Sequence, residues 1–131
     1  MKTSTADFWF SRYIRLRDSD GNGCARCCTC GAYKPVKRMD CGHYIKRQHM
    51  ATRFDERNCA CQCKKCNAFE QGNDKIFADY IEKRYGLPIL DQLRMAAMTR
   101  RKYSRYELSQ VAEYFKQKAI LKAREKNLKL W

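Results

Sequence analysis

Two pairs of cysteines carry the first chemical signal: Cys27-x-x-Cys30 and Cys63-x-x-Cys66, separated by a 32-residue excursion. Four thiolates at that spacing suit a tetrahedral zinc ion, and a site closed by four protein ligands makes the metal structural. Gly31 follows Cys30 and supplies the sharp turn of a zinc knuckle. Cys24-x-x-Cys27 is a rival first pair, and Cys59 or Cys61 could replace Cys63. On the preferred pairing, Cys24, Cys28, Cys41, Cys59 and Cys61 are free thiols or packing residues.

The excursion holds a second set of groups. "DCGHYI" at 40–45 places Asp40 three residues before His43, "RFDERN" at 53–58 ends in Asn58, and Asn67 directly follows Cys66. Asp40 offers a carboxylate and Asn67 an amide carbonyl, the oxygen ligands that a hard cation such as Mg²⁺ prefers. With neither sulfur nor imidazole between them, that pair should not compete with the thiolates for zinc. Asp, His, Asn, and Asn after a Cys-x-x-Cys is the inventory of a one-metal nuclease. Taken singly, each has a plainer reading: a strand histidine packs, and an asparagine after a loop caps a helix. His49 has no partner in the pattern and is left out.

Charge and cysteine content narrow the class. Lys plus Arg number 28 against 14 Asp plus Glu, a formal net charge of +14, and the excess divides evenly between residues 1–72 and 73–131. A chain basic throughout points to a polyanion partner, most often nucleic acid. Nine cysteines, an odd number, argue against a full disulfide framework and for a metal in a reducing compartment. No stretch is long and apolar enough to span a membrane, and the charged N-terminus does not read as a secretory signal.

These groups need elements to position them. Residues 6–17 read as a helix with Phe10, Tyr13, Ile14 and Arg17 on one face and Trp9 beside them. "DSDGNG" at 18–23 ends it. Short β-capable pieces on either side of Gly42 predict a hairpin, 48–62 reads as irregular, and a short helix is expected from near Cys63 to Gly72. Three helices should follow. The first has Ile76, Phe77, Tyr80 and Ile81 on one face, Asn73 or Asp74 as cap and Gly86 as stop. The second carries Pro88 in its first turn. The third follows a Ser104-x-x-Glu107 capping box, with Leu108, Val111, Ala112, Phe115, Ala119 and Leu121 or Lys122 as its apolar stripe.

Taken together, "C-x-x-C-G … D-x-G-H-Y … R-F-D-E-R-N … Q-C-x-x-C-N" resembles the NinG/Rap recombination proteins of lambdoid phages over most of the chain. More remotely it is similar to the HNH or His-Me finger nucleases, including junction resolvases of the endonuclease VII type. The resemblance implies an α+β, mostly helical fold. Its zinc-stabilised ββα-metal core would span 24–72, with an N-terminal helix and turn at 1–23 and a basic helical extension at 73–131. It implies that His43 is the general base, that Asp40 and Asn67 hold the catalytic Mg²⁺ (or Mn²⁺), and that Asn58 organises the loop. The zinc ligands are then Cys27, Cys30, Cys63 and Cys66.

The activity expected from this is metal-dependent hydrolysis of phosphodiesters in branched DNA such as Holliday junctions and D-loops, leaving a 5′-phosphate. Lys46, Arg47, Arg53, Arg57, Lys64 and Lys65 cluster around the centre in sequence and are candidate phosphate contacts. Symmetric cutting of a junction needs two active sites, so a homodimer is expected. The resemblance also places the protein in the cytoplasm of a bacterial host, phage-encoded. The competing readings are a non-catalytic zinc-dependent DNA-binding protein and a protein–protein adaptor, which leaves the charge unexplained.

Overall fold

Apolar residues at helical spacing make helix α1, Thr3–Asp18, and bury Ala6, Phe10, Tyr13, Ile14 and Leu16. The computed structural model describes residues 3–68 and 73–131. After α1 come β1 (Cys24–Arg26) and β2 (Tyr33–Pro35), an antiparallel pair around the first cysteine knuckle. Then β3 (Met39–His43) pairs antiparallel with β4 (Cys59–Cys63), His43 opposite Cys59 and Met39 opposite Cys63. The short helices α2 (Met50–Arg53) and α3 (Lys64–Ala68) follow β3 and β4, and α4 (Asp74–Tyr85), α5 (Ile89–Ala97) and α6 (Arg105–Glu125) complete the described chain. The fold is thus mostly helical α+β with two small antiparallel sheets among the described residues.

The β3–β4 hairpin lies between two helical layers. Side chains alternate across a strand. Met39, Cys41 and His43 therefore share one face with Cys59, Cys61 and Cys63, and Asp40 and Gly42 share the other with Ala60 and Gln62. On the first face α1 and α6 close a core of Phe10, Tyr13, Ile14, Leu16, Cys59, Phe115 and Ala119. On the second, α4 and α5 bring Phe77, Ile81, Ile89 and Leu93 against Ala60.

The hairpin departs from the sequence reading. Gly42 is not its turn but lies inside β3, and its partner strand comes from residues read as irregular. Gly42 is there for space: a Cβ would sit 2.3 Å from Gln62 Oε1 and 3.0 Å from Phe77 Cε2. Glycine lets α4 seat on the strand.

Charged groups tie α1 to the sheet. Arg15 Nη1 donates to the carbonyls of Val36 (3.2 Å) and Met39 (3.1 Å). Arg17 donates to Glu56 O (2.7 Å) and Cys59 O (2.8 Å) and pairs with Asp18 at 2.8 Å. Asp18 also accepts from Cys61 N at 2.9 Å and from Arg84 at 3.0 Å. Burial alone would raise the Asp18 carboxyl, but the Arg17, Cys61 and Arg84 hydrogen bonds outweigh it and hold the group below its usual range. At the far end of α6, Lys126 Nζ caps α1 by donating to the carbonyls of Leu16 (2.7 Å), Arg17 (2.9 Å) and Ser19.

The helices match their signals in most respects. Ser104 and Glu107 form the reciprocal capping box ahead of α6, which buries Leu108, Ala112, Phe115, Ala119 and Ala123. Leu121 faces outward instead. On α4, Phe77 and Ile81 are buried but Ile76 is exposed, so the inward stripe is narrower than the sequence indicates. Asn73 precedes α4 in a left-handed conformation with no side-chain cap bond. The predicted stop at Gly72 lies outside the described residues.

Gly42→Ala should cost roughly 1–3 kcal/mol, the usual penalty of overpacking, measured as a lower urea midpoint. Asp18→Asn should cost about 3–5 kcal/mol at neutral pH, since it leaves buried cations without their partner. Because the folded Asp18 carboxyl is held below its unfolded value, its contribution is present above that unfolded value, about 3.9, and is lost as pH falls through the folded one. The wild-type advantage over Asp18→Asn should therefore shrink in acid, and an equal melting-temperature gap at every pH would contradict this role.

Candidate functional site

Two turns bring the cysteine pairs together. Cys27–Cys30 follows β1, where Gly31 adopts a left-handed φ of +77°. Cys63 ends β4, and Cys66 lies one turn into α3. The Sγ atoms of Cys27, Cys30, Cys63 and Cys66 all lie within 4.8 Å of one another. The Cys30–Cys63 pair is 3.8 Å apart. A tetrahedron with Zn–S bonds of about 2.3 Å has edges of roughly 3.8 Å, so the cluster has the dimensions of a zinc site.

Backbone amides already favour thiolates there. Cys27 Sγ accepts from Cys30 N (3.5 Å) and Cys63 N (3.3 Å), and Cys63 Sγ from Cys66 N (3.4 Å). Against the opposing effect of burial, these donors bring the Cys27 thiol down to about 6, while burial pushes Cys66 up to about 12. Four mutually repelling sulfurs cannot all ionise without a cation among them, which is the need that zinc meets. Cys24, the rival ligand, stays outside the cluster. Burial raises the thiols of Cys28, Cys59 and Cys61, as suits packed, protonated groups.

Beside the cluster opens a cleft of about 910 Å³ lined by Asp40, His43 and Asn67 among others. Pleating sends Asp40 and His43 to opposite faces of β3. Both still reach the cleft, because among the described residues β3 has no strand partner beyond β4. Asn67, carried by α3 next to Cys66, donates Nδ2 to Asp40 Oδ2 at 3.0 Å. Lys64 Nζ holds the other Asp40 oxygen at 2.7 Å. A half-turn of the Asn67 amide would present its oxygen beside the carboxylate, where the Lys64 ammonium now supplies positive charge.

His43 is fixed from behind. Its Nε2–H donates to the Arg53 carbonyl at 2.9 Å, so the lone pair resides on Nδ1. Burial brings the imidazole down to about 4, leaving it neutral at physiological pH. Arg53 is itself clamped by Asp7 through Nε (2.9 Å) and Nη2 (2.5 Å). Asn58 is fully buried and closes the loop between the strands: its Oδ1 accepts from Ile45 N (2.8 Å), and its Nδ2 donates to Ile45 O (2.9 Å) and Thr52 O (3.2 Å).

Four of the six candidate phosphate contacts, Lys46, Arg47, Arg53 and Lys64, line the cleft, and Arg57 and Lys65 lie outside it. Lys46 pairs with Asp74 at 2.9 Å, Arg57 with Asp55 at 2.9 Å, and Arg47 stands 3.8 Å from Asp7. Arg53 lines the cleft and is also engaged within the fold. Its side chain is given to Asp7 and its carbonyl to His43, which makes it a support for the imidazole. Asp7 and Arg15, which also line the cleft, carry no signal in the sequence. They look there like ordinary charges on a helix.

Fold and cluster together define a mostly helical α+β protein with a four-cysteine site fitted to zinc. The family described as Bacteriophage Lambda NinG protein matches residues 4–127, and the chain belongs to that family. No curated protein and no solved structure matches it. None of the helices among the described residues is long and apolar enough to cross a membrane.

Removing the metal should unfold the cysteine region. A strong chelator, or Cys66→Ala, should lower the melting temperature sharply and release about one zinc per chain, as in other small metal-dependent cores. A Cys66→Ala protein with unchanged melting and zinc content would exclude the assignment.

Proposed function

We propose that the protein is a metal-dependent DNA endonuclease of the ββα-metal (His-Me finger) type, acting on branched DNA in recombination. The observation that carries the reading is the meeting of Asp40, Asn67 and His43 in one basic cleft beside the cysteine cluster. In this reading β3 and β4 form the hairpin, α3 is the helix, and the zinc site pins the two where β4 runs into α3.

His43 accepts the proton of a water that attacks the scissile phosphorus. It is neutral, its Nε2–H is engaged by the Arg53 carbonyl, and Nδ1 has the lone pair. Such a base contributes about 10²–10⁴-fold to the rate. Asp7 and Arg53 hold the ring in place, and Asn58 holds the loop that bears Arg53. Asp40 and Asn67 would hold a divalent cation of the Mg²⁺ or Mn²⁺ kind, which supplies stabilisation of charge developing on the phosphate oxygens. Lys64 would give up its place on Asp40 and turn to DNA phosphate. Lys46 and Arg47 at the mouth of the cleft add sequence-independent attraction, with log affinity falling against log salt by about 0.9 for each phosphate neutralised. The product would be a 5′-phosphate.

Labelled linear duplex, single strand, three-way junction and four-way junction, incubated in Mg²⁺ with and without chelator, test the proposal. Junctions should be cut in preference, and only with the cation. His43→Ala should lose about 10²–10⁴-fold in cleavage while junction binding and melting stay near wild type; Asp40→Ala should abolish the response to Mg²⁺. Tight junction binding by the wild type with no cleavage in Mg²⁺ or Mn²⁺ would favour a non-catalytic DNA-binding protein instead.

A further inference from the structure

Cys41, His43 and Cys59 form a second group of metal-ligating atoms, distinct from the four-cysteine cluster. Their two sulfurs and a ring nitrogen of His43 all lie within 4.8 Å of one another. The register explains the grouping. Cys41 and His43 are two residues apart on β3 and share a face, and Cys59 stands directly opposite His43 on β4. Cys41 and His43 line the cleft, while Cys59 lies buried behind them. Two thiols and an imidazole are the donors of a thiophilic divalent ion, and Mg²⁺ does not compete for them. Bonds of about 2.0 Å to nitrogen and 2.3 Å to sulfur require ligand separations of roughly 3.3–3.8 Å. The three atoms, within 4.8 Å of one another, would have to draw in by about an ångström to close on an ion.

We propose that Cys41, His43 and Cys59 form an inhibitory site for a zinc-class ion, whose binding takes the lone pair of His43 and stops hydrolysis. The inhibition, though not the site, rests on the nuclease reading above. A neutral imidazole has one lone pair. With Nε2–H given to the Arg53 carbonyl, the same electrons serve either a proton from water or a metal. Binding displaces the two thiol protons to solvent, and the fourth position falls to water or to a group entering the cleft. Mg²⁺ on Asp40 and Asn67 and zinc on the thiols are sorted by donor type, so the cations act on one cleft through different ligands.

The test uses the full chain with its structural zinc in place, titrated with Cd²⁺ or Zn²⁺ at saturating Mg²⁺. Wild type should take up one further equivalent, seen as thiolate-to-cadmium charge-transfer absorption. At that point junction cleavage should fall by about 10²–10⁴-fold, the contribution of a general base. Cys41→Ser and Cys59→Ala, checked for folding by circular dichroism, should keep Mg²⁺-dependent cleavage, lose the added absorption and resist the inhibitor. Cys41→Ser alone decides the matter if the buried Cys59→Ala does not fold. A wild type that takes up no further equivalent, or a Cys41→Ser protein that binds and is inhibited like wild type, overturns the proposal. If wild type cuts nothing but Cys41→Ser still loses the second equivalent, the site stands and the nuclease reading falls.

Discussion

The register of β3 against β4 is the constraint on which the rest of the structure depends. It sets Met39 opposite Cys63 at the zinc end and His43 opposite Cys59 at the loop end. A slip of one residue would turn every side chain of a strand to the other face. His43 would then meet α4 instead of α1, or Cys63 would leave the cysteine cluster. Gly42 weighs against that slip, because a Cβ here would crowd Gln62 of the partner strand and Phe77 of α4. The four-cysteine cluster, fitted to zinc, meets the register at the other end through Cys63.

A two-stranded sheet leaves backbone groups that need partners. Along the side of β4 away from β3, four groups find theirs outside any strand. Cys59 O accepts from Arg17, Cys61 N donates to Asp18, Cys61 O accepts from Cys28 N, and Cys63 N donates to the sulfur of Cys27. The end of α1 and the first cysteine knuckle thus act as a third strand made of side chains and a single amide. This is why the buried charges of α1 are structural, and why the Lys126 cap on the end of α1 bears on the site although α6 does not reach it.

What the sequence made legible was local. The two Cys-x-x-Cys pairs, the Ser104–Glu107 box and the helices announce themselves by spacing within a few residues. The strand β4 was equally visible in principle: Cys59, Cys61 and Cys63 alternate with Ala60 and Gln62 at a period of two. Cys59 and Cys61 read there as free thiols or packing residues one at a time, and their alternation as the apolar face of a strand went unread. Gly42 misled for a related reason, since glycine commonly marks a turn and here marks a close approach. Asp7, Arg15 and Asp18 could not have been found, because their partners lie far along the chain, at Arg53, Met39 and Cys61. Ile76 was placed inside by helical periodicity, but α4 meets the sheet along a narrow line through Phe77 and Ile81.

The same alternation explains why so many thiols surround one imidazole. The face of β4 that receives α1 must be small and apolar, and cysteine meets both demands. Cys59 and Cys61 serve that purpose, packing against Phe10 and Met39. With one face of the β3–β4 pair carrying Cys41, His43, Cys59 and Cys63, the packing surface and the four-cysteine cluster are continuous. The His43 imidazole, seated on a sulfur-rich face, lies next to soft donors, whereas Asp40 and Asn67 across the pleat offer only oxygen and amide. The strand's two faces thereby separate sulfur and imidazole donors from oxygen donors around one cleft.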